Sequence, residues 1–408
     1  MGLSVATDLV VRSVADNEEL HLANELMANA QNGEASASMR WLETHAASYP
    51  GLPPEHTRIA VLDGEIAGAL RLTTETMRVG EARLKVGGLG WVATSPRYRH
   101  RGVCTRLLQG TLKYMYAHRY HVSMLFGIPN FYHRFGYATT LANYTITLGA
   151  GEAASSLSGA YKIRRVKPGD IAAIQKMHNA ADSKVACSLL RSSAHLKSKW
   201  ERFKHADVFT SQQGKVLAYV LAEAKDGALL VHEAGADDPA AALEVIAHCA
   251  RLAHESDAPR IRFAIPPEHP FAHLLARYES VHEMHLERDR GGMLAFVDLA
   301  EALESMVPEW EDLVGKSAVA DRRCEATLVV DGASYRVRAH HGAVDVAETT
   351  GKNKFSVSRT DLMKLLTGYS HFDDVFHHER RLVTADARAF LAAIFPKRNP
   401  YVHTFDRF

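Results

Sequence analysis

The residues richest in chemistry lie in one stretch, KVGGLGWVATSPRYRHRGVCTRLLQG, from Lys85 to Gly110. A strand is expected to end near Thr94, the chain to turn at Ser95-Pro96, and a helix to begin around Gly102. Arg97, Arg99, His100 and Arg101 fall between strand and helix. The start of a helix presents unpaired backbone N–H groups and about half a positive charge, so it suits an anion. A glycine at that point lets phosphate oxygens approach the backbone closely, and neighbouring arginines add charge-assisted hydrogen bonds. The run from Arg99 to Thr105 therefore reads as a cradle for a pyrophosphate.

The elements around this loop suggest a duplicated architecture. VVRSVADNEELHLANELMANA, from Val10, and IRRVKPGDIAAIQKMHNAA, from Ile163, each run from a short strand through a turn into an amphipathic helix. Strand hairpins follow both, turning at Asp63-Gly64 in the first, and near Gly214 and at Asp226-Gly227 in the second. Such a long repeat means duplicated domains and not a solenoid, whose period is roughly 20–50 residues. The small-residue stretch GAGEAASSLSGA, residues 149–160, is the expected linker. The domains expected are thus 1–148, 161–294 and 295–408. In the third, Asp331-Gly332 marks a hairpin, Asp361 is the expected N-cap of a helix stopped by Gly368, and Thr384 opens a helix ended by Pro396. The last residues, NPYVHTFDRF, read as an extended tail.

The second repeat serves as an internal control. Its corresponding strand, LLVHEAGA, runs into Asp237-Asp238-Pro239 with no arginine or glycine cradle. Carboxylates at a helix start are ordinary capping and repel a pyrophosphate. The central domain is expected to be non-catalytic.

Composition excludes several alternatives. Lys plus Arg is 48 against 47 Asp plus Glu, a net charge of +1, so no strong field steers the chain toward nucleic acid. The basic stretch at 97–121 carries Leu107, Leu108, Leu112 and Met115 at helical spacing, which reads as a core stripe with solvated basic positions. No apolar run approaches the ~18–20 residues of a spanning helix, and the N-terminus lacks a signal-peptide pattern, so no membrane partner is expected. The four cysteines, Cys104, Cys187, Cys249 and Cys324, are scattered without a CxxC pair, which favours a reducing, cytoplasmic setting. The 23 histidines, His340-His341 and His377-His378 among them, form no HExxH or Cys/His zinc spacing, and no metal is expected. No GxSxG elbow is present.

Arg99-His100-Arg101-Gly102-Val103-Cys104 resembles the R/Q-x-x-G-x-G/A loop of the GNAT N-acetyltransferases, with Cys104 in place of the usual Gly or Ala. The resemblance implies acetyl-CoA as cosubstrate. Its pyrophosphate would be held by Arg99 to Thr105 and its pantetheine amides by the strand Val92, Ala93 and Thr94. HVSMLFGIPNFYHRFGY resembles the Tyr-x-x-x-Gly-aromatic segment that ends such a site, with Tyr132 before Gly136-Tyr137. That implies two parallel strands splayed apart with the thioester between them, near Gly127 and Ile128. Tyr132 would protonate the leaving thiolate. A phenol near pKa 10 and a thiol near about 8.5 make that transfer uphill by only ~2 kcal/mol. Trp91, beside the cofactor strand, and Trp41 are candidates for the acceptor pocket.

The whole layout resembles the enhanced-intracellular-survival (Eis) acetyltransferase family. It implies a mixed α/β (α+β) chain of tandem GNAT folds followed by an αβ domain similar to sterol carrier protein. In that family the free carboxylate of the C-terminal residue, here Phe408, enters the first domain as general base. An α-carboxylate has a reference pKa of about 3.3–3.7, so it needs burial or a relay water to do so. The acceptor implied is a primary amine, with aminoglycosides, polyamines and lysine side chains as candidates, and the assembly a homo-oligomer, commonly a hexamer. Better-known members carry an acidic residue before the terminal Phe; here Arg407 stands there, with Asp406 one further back, which weighs against polycations. Two other readings are a longer acyl-CoA donor, and a non-catalytic carrier of apolar ligands using the third domain.

Overall fold

The structure is a computed structural model and describes residues 9–31, 35–49, 51–153, 158–203, 205–376 and 384–408. His377, His378 and part of the expected linker lie outside them.

The first sheet draws on β1 (Val10–Ser13), β2 (Thr57–Leu62), β3 (Glu65–Val79), β4 (Ala82–Thr94), β5 (Val122–Gly127) and β6 (Ala138–Leu141). The second draws on β7 (Asn143–Gly149), β8 (Lys162–Arg165), β9 (Asp207–Thr210), β10 (Val216–Lys225), β11 (Ala228–Ala236), β12 (Arg260–Phe263) and β13 (Ser280–His285). One more strand, β14 (Gly291–Phe296), returns to the first sheet. The orders are β1-β2-β3-β4-β5-β14-β6 and β13-β7-β12-β11-β10-β9-β8.

The two sheets repeat one pattern, an antiparallel meander ending in a parallel pair, β4 with β5 and β11 with β12. They also exchange strands. β7, whose residues up to Leu148 precede the expected linker, pairs with β12 and β13, and β14 inserts between β5 and β6. Backbone hydrogen bonds therefore join the two halves in both directions.

Helices α1 (Asn17–Asn29) and α2 (Ala35–Ser48) lie between β1 and β2, and α3 (Val103–Ala117) connects β4 to β5. In the second repeat α4 (Ile171–Ala181), α5 (Ser193–Ser198) and α6 (Trp200–Phe203) precede β9, and α7 (Pro239–Glu255) connects β11 to β12. The Asp-Gly pairs at 63, 226 and 331 all adopt positive φ at both residues, the conformation that two-residue hairpins require.

The third unit has a four-stranded sheet, β15 (Cys324–Val330), β16 (Ala333–His340), β17 (Ala343–Glu348) and β18 (Lys354–Ser356), ordered β17-β16-β15-β18. One continuous core runs from it to the first sheet, joining Trp310 and Phe395 to Val86, Val122 and Leu294. The helix at Arg359–Thr367 is capped by Ser358, not by Asp361. Ser358 Oγ accepts from the Asp361 N–H at 3.1 Å and donates to its carboxylate at 2.8 Å. Asp361 thus occupies the third helical position of a capping arrangement, where a carboxylate is equally favoured by the helix dipole. The tail beyond Pro396 is extended apart from a short turn at Thr404–Asp406, and it crosses the second unit to finish at the first sheet.

Candidate active site

The parallel pairing of β4 and β5 covers Val86 to Leu89 and Val122 to Leu125 and then stops, although β4 continues to Thr94 and β5 to Gly127. Beyond Leu89 the register of β4 against β3 shifts between Ala69 and Arg71, and Trp91 takes a φ of 56°. A bulge of this kind bends a strand and re-aims its side chains. It separates β4 from β5 and opens a cleft bounded by Gly90 to Thr94 on one strand and Phe126 and Gly127 on the other.

At the end of β4 the cradle is present as an uncapped helix start. Gly102 is the N-cap of α3 with φ 77°, His100 has φ 62°, and the cap supplies no side-chain hydrogen bond to the first turn. Arg99, His100, Arg101 and Gly102 are all exposed. Arg97 pairs with Glu65 at 2.8 Å and Arg101 approaches Asp63 at 3.7 Å, which keeps both arginines beside the loop. The corresponding helix of the second repeat is closed, because Asp238 caps α7 by accepting from the Ala241 N–H at 2.9 Å. The two starts differ as the anion argument requires.

The cleft receives the end of the chain. A Cβ placed on Gly88 would lie 2.2–2.4 Å from the ring carbons of Phe408, and one on Gly90 would lie 2.9 Å from its carboxyl carbon. Only a bare backbone admits this residue, which explains GGLG in the middle of a strand. The Phe408 ring lies flat on Gly88, and its carboxyl group stands beside Gly90, where β4 parts from β5.

A small pocket surrounds that carboxyl group, with about 30 Å³ of free space, and Trp41, Trp91, Arg71 and Glu75 are among its walls. Trp41 from α2 stacks on Trp91 with ring centroids 5.0 Å apart. Arg71 is 1% exposed, donates to Asn24 at 2.7 Å, and has no hydrogen-bond partner at Nε or Nη1.

Behind the pocket runs a buried hydrogen-bonded chain. The Tyr49 hydroxyl lies between the Glu75 carboxyl and Nδ1 of His195, the latter at 2.9 Å, and Nε2 of His195 reaches Asp406 at 3.0 Å. Arg191 donates to Asp406 from Nε and Nη2 at 2.8 and 2.9 Å, and to Glu233 from Nη1 and Nη2 at 2.7 and 2.8 Å. Tyr219 adds a bond to Glu233 at 2.6 Å. Burial pushes the Glu75 carboxyl up to about 7 and the His195 imidazole down to about 4. Burial alone would raise Asp406, but Arg191 overrides it and holds the carboxyl well below the usual range. Tyr49 donates to the Glu75 carboxyl, and a neutral His195 with its proton on Nε2 donates to ionised Asp406.

Tyr132 begins a short turn after β5, and its ring covers Gly127, where a Cβ would come within 2.5 Å of Cδ2. Burial pushes its hydroxyl well above the ordinary value. Cys104, also against this cleft, hydrogen-bonds to Thr94 and is pushed up to about 11 by the same desolvation.

Most of the residues singled out in the sequence thus gather at one cleft: Val92, Ala93 and Thr94 on β4, Arg99 to Thr105 at the helix start, Gly127 and Tyr132 opposite, and Trp41, Trp91 and Phe408 at the pocket. Ile128 follows Gly127 but is 62% exposed. Asp406, expected near the amine, borders the pocket with both oxygens engaged by Arg191 and His195. Sequence reading missed Gly88, Gly90, Arg71, Glu75, Tyr49, His195 and Arg191. Three glycines in four residues of a strand were the available signal for the first two; the others carry none.

A model of the acetyltransferase (GNAT) domain family matches residues 11–140, nearly the whole of the first unit. No curated protein matches the chain. Among solved structures, a probable N-acyltransferase from Enterococcus faecalis V583 is similar over 98% of this chain and 100% of its own, at 15% identity and TM-score 0.76. A GCN5-related N-acetyltransferase from Kribbella flavida is similar over 100% of both chains, at 19% identity and TM-score 0.75. Eis1 from Mycobacterium abscessus is similar over 98% of this chain and 100% of its own, at 17% identity and TM-score 0.65. At such identities the likeness speaks for the fold alone, a mixed α/β arrangement with three sheets similar to Eis1. Among the described residues no helix is long and apolar enough to cross a membrane.

The buried imidazole sets a pH dependence. An unfolded imidazole titrates near 6.5. Between about pH 4 and 6.5 the folded protein binds fewer protons at His195 than the unfolded chain does, so stability from this group is lost on acidification. The full loss is on the order of 3 kcal/mol. Glu75 acts with the opposite sign, losing stability as pH rises toward about 7. Urea unfolding from pH 6.5 down to 4 is expected to show a shallower decline in His195→Gln than in the wild type; equal slopes would mean that the imidazole is not held neutral.

Proposed function

We propose that the protein is an acetyl-CoA-dependent N-acetyltransferase that acetylates a primary amine in the cleft of its first domain. The observation that carries this reading is the carboxyl group of Phe408 beside Gly90, where β4 and β5 part. An anion cradle alone fits any nucleotide-like ligand; a carboxylate set beside the opening between two splayed strands fits amine deprotonation.

In this reading the N–H groups at the start of α3, with Arg99 and Arg101, hold the pyrophosphate, and the β4 backbone from Val92 to Thr94 holds the pantetheine arm. When bound, acetyl-CoA supplies an activated thioester. The cleft orients the amine for direct attack, and holding both reactants supplies much of the acceleration. Backbone N–H groups of β4 freed by the bulge steady the developing oxyanion. The Phe408 carboxylate takes the amine proton, directly or through a water, for which the free space of about 30 Å³ is sufficient. Tyr132 stays protonated and donates to the departing sulfur. Burial raises its pKa, which keeps the hydroxyl protonated and available as a donor.

The pocket's charges bear on the acceptor. Burial raises the Glu75 carboxyl to about 7 and Asp406 is paired, while Arg71 has two buried nitrogens, Nε and Nη1, without a hydrogen-bond partner among the described residues. An amine that also carries a carboxylate near Arg71 fits better than a purely cationic aminoglycoside or polyamine. Assembly into a homo-oligomer belongs to the same reading. The edge strand β13 leaves Val281, Met284 and the neighbouring Leu286 exposed, an apolar edge that a second copy would cover.

The test is release of coenzyme A thiol from acetyl-CoA by untagged protein with a panel of amines: amino acids, lysine peptides, polyamines and aminoglycosides. Turnover is expected, fastest with carboxylate-bearing amines; none with any amine would reject the reading. Tyr132→Phe is expected to lower kcat by about 10- to 100-fold while leaving acetyl-CoA affinity unchanged. An unchanged kcat would remove Tyr132 from the reaction.

A further inference from the structure

A second cluster of titratable side chains lies where α4 meets the tail, outside the cleft and unused by acyl transfer. His178 on α4, Asp182 at the end of that helix and His403 in the tail are each 2% exposed. Asp182 follows His178 by one helical turn, so the two side chains share a face. One ligand-capable atom from each of the three residues lies within 4.8 Å of the other two. His178 Nε2 is 3.6 Å from Asp182 Oδ2, and His403 Nε2 is 3.1 Å from Asp182 Oδ1. Donor atoms bound at about 2.0–2.2 Å around a tetrahedral ion stand roughly 3.3–3.5 Å apart, close to these separations.

Hydrogen bonding accounts for only part of the cluster: His403 Nε2 and Asp182 Oδ1 are hydrogen-bonded at 3.1 Å. Among the described residues, His178 Nε2, Asp182 Oδ2 and His403 Nδ1 are buried without a hydrogen-bond partner. Each such atom costs about 1–3 kcal/mol if left bare, and an ion set between His178 Nε2 and Asp182 Oδ2 would relieve both at once. The ion-pair partners of Asp182 among the described residues are these two histidines. Behind His178, Glu233 Oε1 stands 3.4 Å from Nδ1. A carboxylate in that position fixes the tautomer with its proton on Nδ1 and turns the Nε2 lone pair outward, the usual support for a metal-binding imidazole.

We propose that His178, Asp182 and His403 bind one divalent transition-metal ion, which clamps the C-terminal tail to α4. Two imidazoles and one carboxylate in a closed site suit zinc, with water or a second oxygen of Asp182 completing the coordination. The ion joins residues far apart in the chain and does so five positions before Phe408. Its role is structural, and it stands whether or not the cleft transfers acetyl groups.

The test uses the full chain, expressed without a histidine tag and dialysed against metal-free buffer. Elemental analysis is expected to find about one zinc or other first-row divalent ion per chain. Stripping with a strong chelator is expected to lower Tm, and added zinc to restore it. Asp182→Asn and His403→Gln are expected to lose the ion. Wild-type protein holding less than about a tenth of an equivalent, with a Tm indifferent to chelator and to added zinc, would overturn the proposal. That result would leave a water or a shared proton in the cluster. If the variants do not fold, the wild-type metal content and Tm response decide the matter alone.

Discussion

One guanidinium group holds the end of this chain in place. Arg191 lies wholly buried between two carboxylates, Glu233 on β11 and Asp406 in the tail, and donates twice to each. Burying such charges is expensive, and an apolar substitute for the whole cluster would stabilise the protein about as well. Removing a single partner is different, since it strands an uncompensated charge at a cost of about 3–5 kcal/mol. The arrangement therefore acts as a position-setting device. Asp406 cannot move without breaking it, and Phe408 is two residues further on.

This device gives the second unit a physical reason to exist although its own helix start is capped and holds no anion cradle. Its strands supply Glu233 and Tyr219, α5 supplies His195, and the connection before α5 supplies Arg191. The strand exchange of β7 and β14 fixes its sheet against the first by backbone hydrogen bonds. The position of the terminal carboxyl in the cleft is thus set by a neighbouring fold held rigidly to the first. The third unit shares a core with the first sheet and delivers the tail.

The sequence made some of this legible and hid the rest for physical reasons. Hairpins at the Asp-Gly pairs, the repeated strand-to-helix opening and the uncapped loop at Arg99 to Gly102 are local, so residue type sufficed. The strand exchange was invisible because β7 and β14 carry the same burial pattern in whichever sheet they pair. Arg191 and His195 sit in LLRSSAHLKSK, which reads as an ordinary polar stretch. Their burial depends on Asp406, more than two hundred residues away. Resemblance alone brought Phe408 into view; GGLG was in plain sight and marks the backbone on which it rests. Asp361 was misplaced by three positions because Ser358 competes for the same cap.

The central claim is that the free carboxylate of Phe408 serves as the base. Its most direct test is a semisynthetic chain ending in Phe408 carboxamide, which keeps the ring on Gly88 and the length of the tail while removing the charge. A positioned base contributes roughly 10²- to 10⁴-fold, so kcat is expected to fall by at least about 100-fold at neutral pH with acetyl-CoA affinity intact. Equal turnover by the amide and the acid would contradict the account.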